Sequence, residues 1–217
     1  MVVTGAAGHQ GNAVARELLR QREETRPNVR AMVHHRDRAA VQELEMMGAE
    51  IAEGDFDDRD SVAKALEGAT AVFSVQDFFS AGFDGEVRQG QTVADVAKAV
   101  GVEHFIYSSV GSAHRDTGIP HFDSKRQIEQ HIQQSGLSYT ILRPVFFYYN
   151  YKAMRQSTKK RENRPAAPAR HPASAVVRAR LRASGVGRVS ESRQLSGPRT
   201  RHRQHRIIDA SRLRDHQ

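Results

Sequence analysis

The 217-residue sequence contains no cysteine, which excludes a disulfide framework, a thiolate nucleophile and a cysteine-based zinc site. No apolar run approaches the roughly 20 residues needed to cross a bilayer. The N-terminal MVVTGAAG enters a strand-like run directly and leaves no room for a signal peptide. A soluble, cytoplasmic protein with no membrane partner is therefore expected. Two catalytic signatures are missing as well. The histidines show no H-E-x-x-H or other ligand spacing, so no metal site is expected. There is no G-x-S-x-G to form a hydrolase elbow. Acids and aromatics run short toward the C-terminus: residues 151–217 hold no Phe, one Tyr (Tyr151) and four acids (Glu162, Glu191, Asp209, Asp215) against 18 Lys and Arg. From chain totals of 33 basic and 25 acidic residues, 15 and 21 are left for residues 1–150. The net charge of +8 thus divides into an acidic body of about −6 and a basic tail of about +14.

What the body does contain is alternation. MVVT, NVRAMV (28–33), AEIAEG, TAVFSV (70–75), HFIYSS (104–109) and SYTILRPV read as six strands. Between them apolar residues recur at helical spacing: Val14, Leu18 and Leu19; Val41, Leu44 and Met47; Val62 and Leu66; Val87, Val93, Val96 and Val100; Ile128 and Ile132. Gly48, Gly68 and Gly136 are placed to end helices. Such a pattern predicts an α/β fold, a doubly wound parallel sheet of Rossmann type that binds ligands beyond the carboxyl ends of its strands.

Gly5, Gly8 and Gly11 form G-x-x-G-x-x-G between the first strand and the first helix. A Cβ here would keep the backbone from a pyrophosphate, and the helix N-terminus supplies N–H groups and partial positive charge. His9 and Gln10 lie within this expected dinucleotide loop. The second strand runs into HHRDR, with no acid at its tip to hold the ribose hydroxyls of NAD. His34, Arg36 and Arg38 instead suit a 2′-phosphate, so NADP is expected as cofactor, with NADPH favoured over NADH. Asp37 is read as a partner for the arginines. Asp55, after the third strand in EGDFDD, is placed to border the adenine, with capping of the next helix by the same acidic cluster as the alternative. Phe56 and Val75 complete the expected lining at the strand ends.

Five segments, VTGAAGHQG, GAEIAEGDFDD, YSSV, HFDSKRQIEQHI and YTILRPVFFYYNY, together resemble the NmrA-like group of atypical short-chain dehydrogenase/reductases, over residues 1 to about 155. That group includes NADPH sensors of the HSCARG type and quinone-reductase-like members. The resemblance implies that Lys125 matches the lysine of a Tyr-x-x-x-Lys pair and contacts the nicotinamide ribose. It also implies that Ser108 or Ser109 sits near the catalytic serine position, and that Pro144 and Val145 border the nicotinamide. His121 stands where the tyrosine would be. An imidazole transfers protons near neutral pH but reaches less far than a phenol, so His121 and Lys125 read as a cofactor-holding remnant more than a working acid–base pair. Tyr107 is expected to pack. The implied function is NADP(H) binding as a redox sensor or regulator with a protein partner, or weak NAD(P)H-dependent reduction.

The domain expected from these segments spans residues 1–155, and residues 156–217 form a basic, disordered, Arg-rich tail where the group has a substrate lobe. Three origins compete for it: a nucleic-acid-binding arm, a divergent lobe, or translation of a GC-rich gene in a shifted frame. The sharp break inside a segment that should continue as a domain points to the third. An alternative function, nucleic-acid binding through the tail, follows only if the tail is genuine.

Overall fold

A computed structural model describes residues 1–115, 117–145, 147 and 205–209. Its strands are β1 (Val2–Val3), β2 (Arg30–Val33), β3 (Glu50–Glu53), β4 (Ala71–Ser74), β5 (His104–Ser108), β6 (Tyr139–Arg143) and β7 (His205–Asp209). The α-helices are α1 (His9–Leu19), α2 (Ala39–Met46), α3 (Arg59–Leu66), α4 (Phe78–Ala99) and α5 (Pro120–Ser135). All neighbouring strands pair in parallel, in the order β3-β2-β1-β4-β5-β6-β7. The chain leaves β1 toward β2 and β3 on one side and resumes at β4 on the other, so the order reverses between β1 and β4. At such a reversal the flanking connections diverge and open a crevice at the carboxyl ends.

Alternation along each strand divides the core between the two faces. Val2, Met32, Val72, Phe105, Tyr107 and Ile141 point to the side covered by α3, α4 and α5, where Val62, Leu66, Val93, Ala97, Ile128 and Ile132 meet them. Val3, Ala31, Val33, Phe73, Ile106 and Leu142 point to the other, against Val14, Leu18, Val41 and Leu44 of α1 and α2. Burial on both faces explains why β4 and β6 are apolar or sheltered at every position. Gly48, Gly68 and Gly136 have positive φ, as helix-ending residues do.

Two elements depart from the sequence expectation. Helix α4 begins at Phe78, where Asp77 accepts from Phe79 N–H, and it kinks at Gly82, whose φ of 71° breaks the helical run. Its buried residues are Gly85, Glu86, Gly90, Val93, Ala94, Val96 and Ala97; Val87 is half-buried and Val100 exposed. Two of the four expected valines, Val93 and Val96, are in the core, and small residues with one carboxylate hold the rest of this contact. The second departure is β7. Residues 205–209 lie within the segment expected to stand outside the fold, yet they pair in register with β6 from Tyr139↔His205 to Arg143↔Asp209. Ile208 packs on the α1/α2 side of the core. Two isoleucines in an arginine-rich stretch give too short a pattern to announce a strand. The remaining tail lies outside the described residues.

Candidate functional site

The connection from β1 to α1 is shaped by its glycines. Gly5 has φ of 58°, in the left-handed region, and its carbonyl accepts from Gly8 N–H at 2.9 Å. A Cβ on Gly11 would lie 2.4 Å from Gly5 O and 2.5 Å from Thr4 O, so α1 can start this close to β1 only with glycine there. Gly8 is the N-cap of α1. It has no side chain to satisfy the first N–H groups, and the first turn carries no acid. The positive end of the helix is therefore left open. Asn12 holds the loop from behind, donating from Nδ2 to Ala6 O and Ala40 O at 3.3 Å each.

This helix end opens into a cleft of about 1670 Å³ along the carboxyl ends of the strands. The cleft brings together Gly5, Gly8, His9, Gln10, Gly11, His34, Arg38, Asp55, Phe56, Val75, Ser108, His121, Lys125, Pro144 and Val145. Among the sequence-predicted site residues, Arg36 is the one that does not line it. Its guanidinium lies 3.7 Å from Glu45 Oε1 of α2, and this carboxylate, not the adjacent Asp37, is its acidic partner. The His34 and His35 rings are in tilted contact, with centroids 4.2 Å apart, and both line the cleft with Arg38. Asp55 accepts from Asp57 N–H at 2.9 Å, while the cap of α3 is Asp58, which accepts from Asp60 and Ser61 N–H. Capping by the acidic cluster is thus performed by Asp58, which leaves Asp55 on the cleft. Asp57 is gripped by Arg88 (2.8 and 3.0 Å) and Gln89 (2.8 Å), which lower its pKa.

The far end of the cleft belongs to β5 and α5. Ser108 Oγ donates to Gln10 Oε1 at 2.6 Å, tying the β5 end to the glycine loop. His121 sits at the start of α5 amid phenyl rings, with centroids 4.6 Å from Phe122, 5.8 Å from Phe78 and 6.2 Å from Phe79. One turn later, Lys125 Nζ lies 2.8 Å from Glu86 Oε1 and does not turn toward the imidazole. The sequence reading missed Glu86, although a carboxylate heading a Gly90–Val93–Ala94–Ala97 stripe could have flagged it. It also missed Gln76, while Ser109 is one of the two serines that the resemblance had placed here. Both line the cleft almost fully buried, and Gln76 Oε1 and Ser109 Oγ have no hydrogen-bond partner among the described residues. Buried polar atoms left open toward a cavity are natural contacts for a ligand. Tyr107 is fully buried, and burial followed by the charges of Glu86 and Glu129 raises its pKa well above the usual phenol value, so it packs as a neutral ring.

The donors and the steric relief of this cleft fit a dinucleotide. A glycine cradle and an open helix N-terminus suit a pyrophosphate, a cation at the β2 end suits a phosphorylated ribose, and a sheltered ammonium lies at the other end. No helix among the described residues is long and apolar enough to cross a membrane.

Comparison with known proteins agrees with this outline. Residues 1–187 match the profile of the NmrA-like family. The chain is 30% identical over 165 residues to an NmrA-like family domain-containing protein of Dictyostelium discoideum, covering 70% of this chain and 53% of that one. It is 28% identical over 161 residues to an NAD(P)H azoreductase of Xenophilus azovorans, covering 74% and 53%. The crystal structure of an NADPH-dependent quinone oxidoreductase from Escherichia coli, complexed with NADPH, superposes with a TM-score of 0.61 at 25% identity, over 73% of this chain and 53% of that one. The chain spans about half the length of the curated relatives it matches.

Proposed function

The chain belongs to the NmrA-like family, and on that premise we propose that it binds NADP(H), preferring NADPH to NADH, and acts as a redox sensor or regulator or as a weak NAD(P)H-dependent reductase. The observation that carries this reading is the single cleft onto which the uncapped start of α1, Arg38 and Lys125 all open. Gly5, Gly8, His9, Gln10 and Gly11 would hold the pyrophosphate. His34 and Arg38 would hold the 2′-phosphate, with Asp55, Phe56 and Val75 beside the adenosine half. Ser108, Lys125, Pro144 and Val145 would border the nicotinamide riboside. When bound, the reduced nicotinamide supplies a hydride.

The residues of the chain are better arranged to hold than to react. A proton donor needs hydrogen-bond reach and a fixed direction. The His121 ring is packed among Phe78, Phe79 and Phe122, no hydrogen bond to a described residue orients it, and the ammonium one turn away is engaged by Glu86. Such a site reports occupancy of a cofactor more readily than it turns one over, which favours the sensor, with a protein partner reading the bound state. We place the dinucleotide-binding domain at residues 1–155, its sheet completed by β7 (His205–Asp209) from the otherwise basic segment 156–217. The nucleic-acid reading rests almost entirely on residues outside the described ones, and no structural observation favours it.

Titration of the full chain with NADPH and NADH tests the proposal. Saturable binding with NADPH tighter by tenfold or so is the expected result, given one additional charge-assisted contact; equal, weak binding of both would end it. Steady-state NADPH oxidation over a quinone panel should stay far below the ~10 s⁻¹ of an ordinary enzyme. Turnover at that level, lost in His121→Ala, would make the histidine catalytic and the protein an enzyme.

A further inference from the structure

Glu86 is a fully buried carboxylate on the face of α4 that packs against α5. The two helices are close there: a Cβ on Gly90, one turn on, would lie 2.6–2.9 Å from the Ile128 side chain. An ionised carboxylate taken from water into such a contact is costly unless its lone pairs are used. Here they are, by two consecutive residues of α5. Oε2 accepts from Ser124 Oγ at 2.5 Å, and Oε1 accepts from Lys125 Nζ at 2.8 Å. The first bond fixes the plane of the carboxylate, and the second fixes the ammonium.

Lys125 is pinned from a further direction. Its Nζ lies 5.8 Å from the centroid of the Tyr107 ring, within the range in which a cation is attracted to an aromatic face. Its side chain is only 13% exposed, yet it lines the cleft. An ammonium has three donors and Oε1 takes one. A lysine that served only to clamp two helices would have no need to face the cleft, and an unheld lysine there would have to be ordered whenever a ligand arrived, at a cost in side-chain entropy.

We propose that Glu86 is the positioning residue of the dinucleotide site: through Ser124 and Lys125 it presents a preset ammonium to the ribose on the nicotinamide side. The inference rests on the dinucleotide reading above and assigns to α4 a part in it that neither the glycine loop nor the α5 motif supplies.

The two halves of the ligand separate this role from helix clamping. The full chain and its Glu86→Gln and Ser124→Ala variants would be titrated by calorimetry with NADPH and with adenosine 2′,5′-bisphosphate, which lacks the nicotinamide riboside. Thermal melts would establish folding. Glu86→Gln keeps the shape and removes the charge partner. NADPH should weaken about tenfold, the scale of one charge-assisted hydrogen bond, while the bisphosphate stays within twofold. Equal weakening of both ligands, or of neither, in a folded variant overturns the proposal. Should Glu86→Gln not fold, Ser124→Ala decides alone. It removes only the tether on Oε2 and should weaken NADPH several-fold without changing the bisphosphate; unaltered NADPH binding overturns the proposal there too. A wild-type chain that binds neither ligand would end the dinucleotide reading itself, and this inference with it.

Discussion

Gly8 and Gly11 are three residues apart on one loop but do different work. At Gly11 the atoms a Cβ would meet are backbone, at 2.4–2.5 Å, and cannot rotate away. At Gly8 the nearest is Gly5 O at 3.3 Å, which a small shift relieves. Gly11→Ala should therefore lower stability by about 1–3 kcal/mol, the usual cost of overpacking, seen as a lower melting temperature. Gly8→Val should melt near wild type and fail to bind NADPH, because its branched side chain stands at the open helix end. Retained affinity in Gly8→Val would make the loop a turn and nothing more. The two arginines after β2 separate in the same manner. Arg38→Ala should weaken NADPH about tenfold or more while barely affecting NADH, since only NADPH carries the 2′-phosphate. Arg36→Ala should change neither, as its guanidinium faces Glu45 across α2. The same titrations on both variants decide it, and equal losses for both cofactors would show that Arg38 does not touch that phosphate.

At the scale of elements, the end of the sheet where β5, β6 and β7 meet is held by polar groups as well as by core packing. Arg143 of β6 makes a two-pronged, buried pair with Glu129 of α5, at 2.9 and 2.5 Å, and its Nη1 lies 3.2 Å from His114 Nδ1. Glu129, aided by Asp209 of β7, raises the pKa of the guanidinium. His104 of β5 bridges Ser138 Oγ (3.1 Å) and Thr140 Oγ1 (2.9 Å). Burial first, and then the charge of Arg206 on β7, lower the pKa of this imidazole below its ordinary 6.5. Above that value His104 is neutral in both the folded and the unfolded chain, and its contribution is fully present. As pH falls below it, the unfolded chain takes up the proton first and the fold loses stability. Melting temperatures across pH 7.5 to 5 should decline for the wild type and decline less for His104→Gln. Parallel curves would show that the imidazole carries none of this dependence.

For the molecule as a whole, β7 determines where the sheet ends. Its five register pairs satisfy the outer edge of β6, and Ile208 covers part of the α1/α2 core. A chain ending after residue 204 would leave β6 as an unpaired edge, with backbone groups returned to water and a template open for pairing with other chains. A lower melting temperature and a greater tendency to self-associate on sizing columns are expected. The cleft lies at the β1/β4 reversal, and Lys125 and Ser108 come from α5 and β5, so NADPH affinity of the folded fraction should persist. Melting identical to the full chain would mean that β7 adds nothing to stability.

What the sequence alone determined is what near neighbours in the chain decide. Strand and helix alternation follows from periodicities of two and 3.6, and those periods placed six strands and five helices. The glycine loop was legible because close backbone approach needs Gly5 and Gly11 at fixed spacing along the chain, and the approach is to residues within the same loop. His121 and Lys125 share a helical face for the same local reason. Tertiary structure decided the rest, where the partner is remote in sequence. Glu86 meets Lys125 across 39 positions, and no pattern in α4 names its partner in α5. Arg36 and Arg38 are equal as letters; the geometry of the turn into α2 sends one to Glu45 and the other into the cleft. β7 joins β6 across more than sixty residues of arginine-rich chain, held by backbone pairing that any side chain permits and that composition therefore does not reveal.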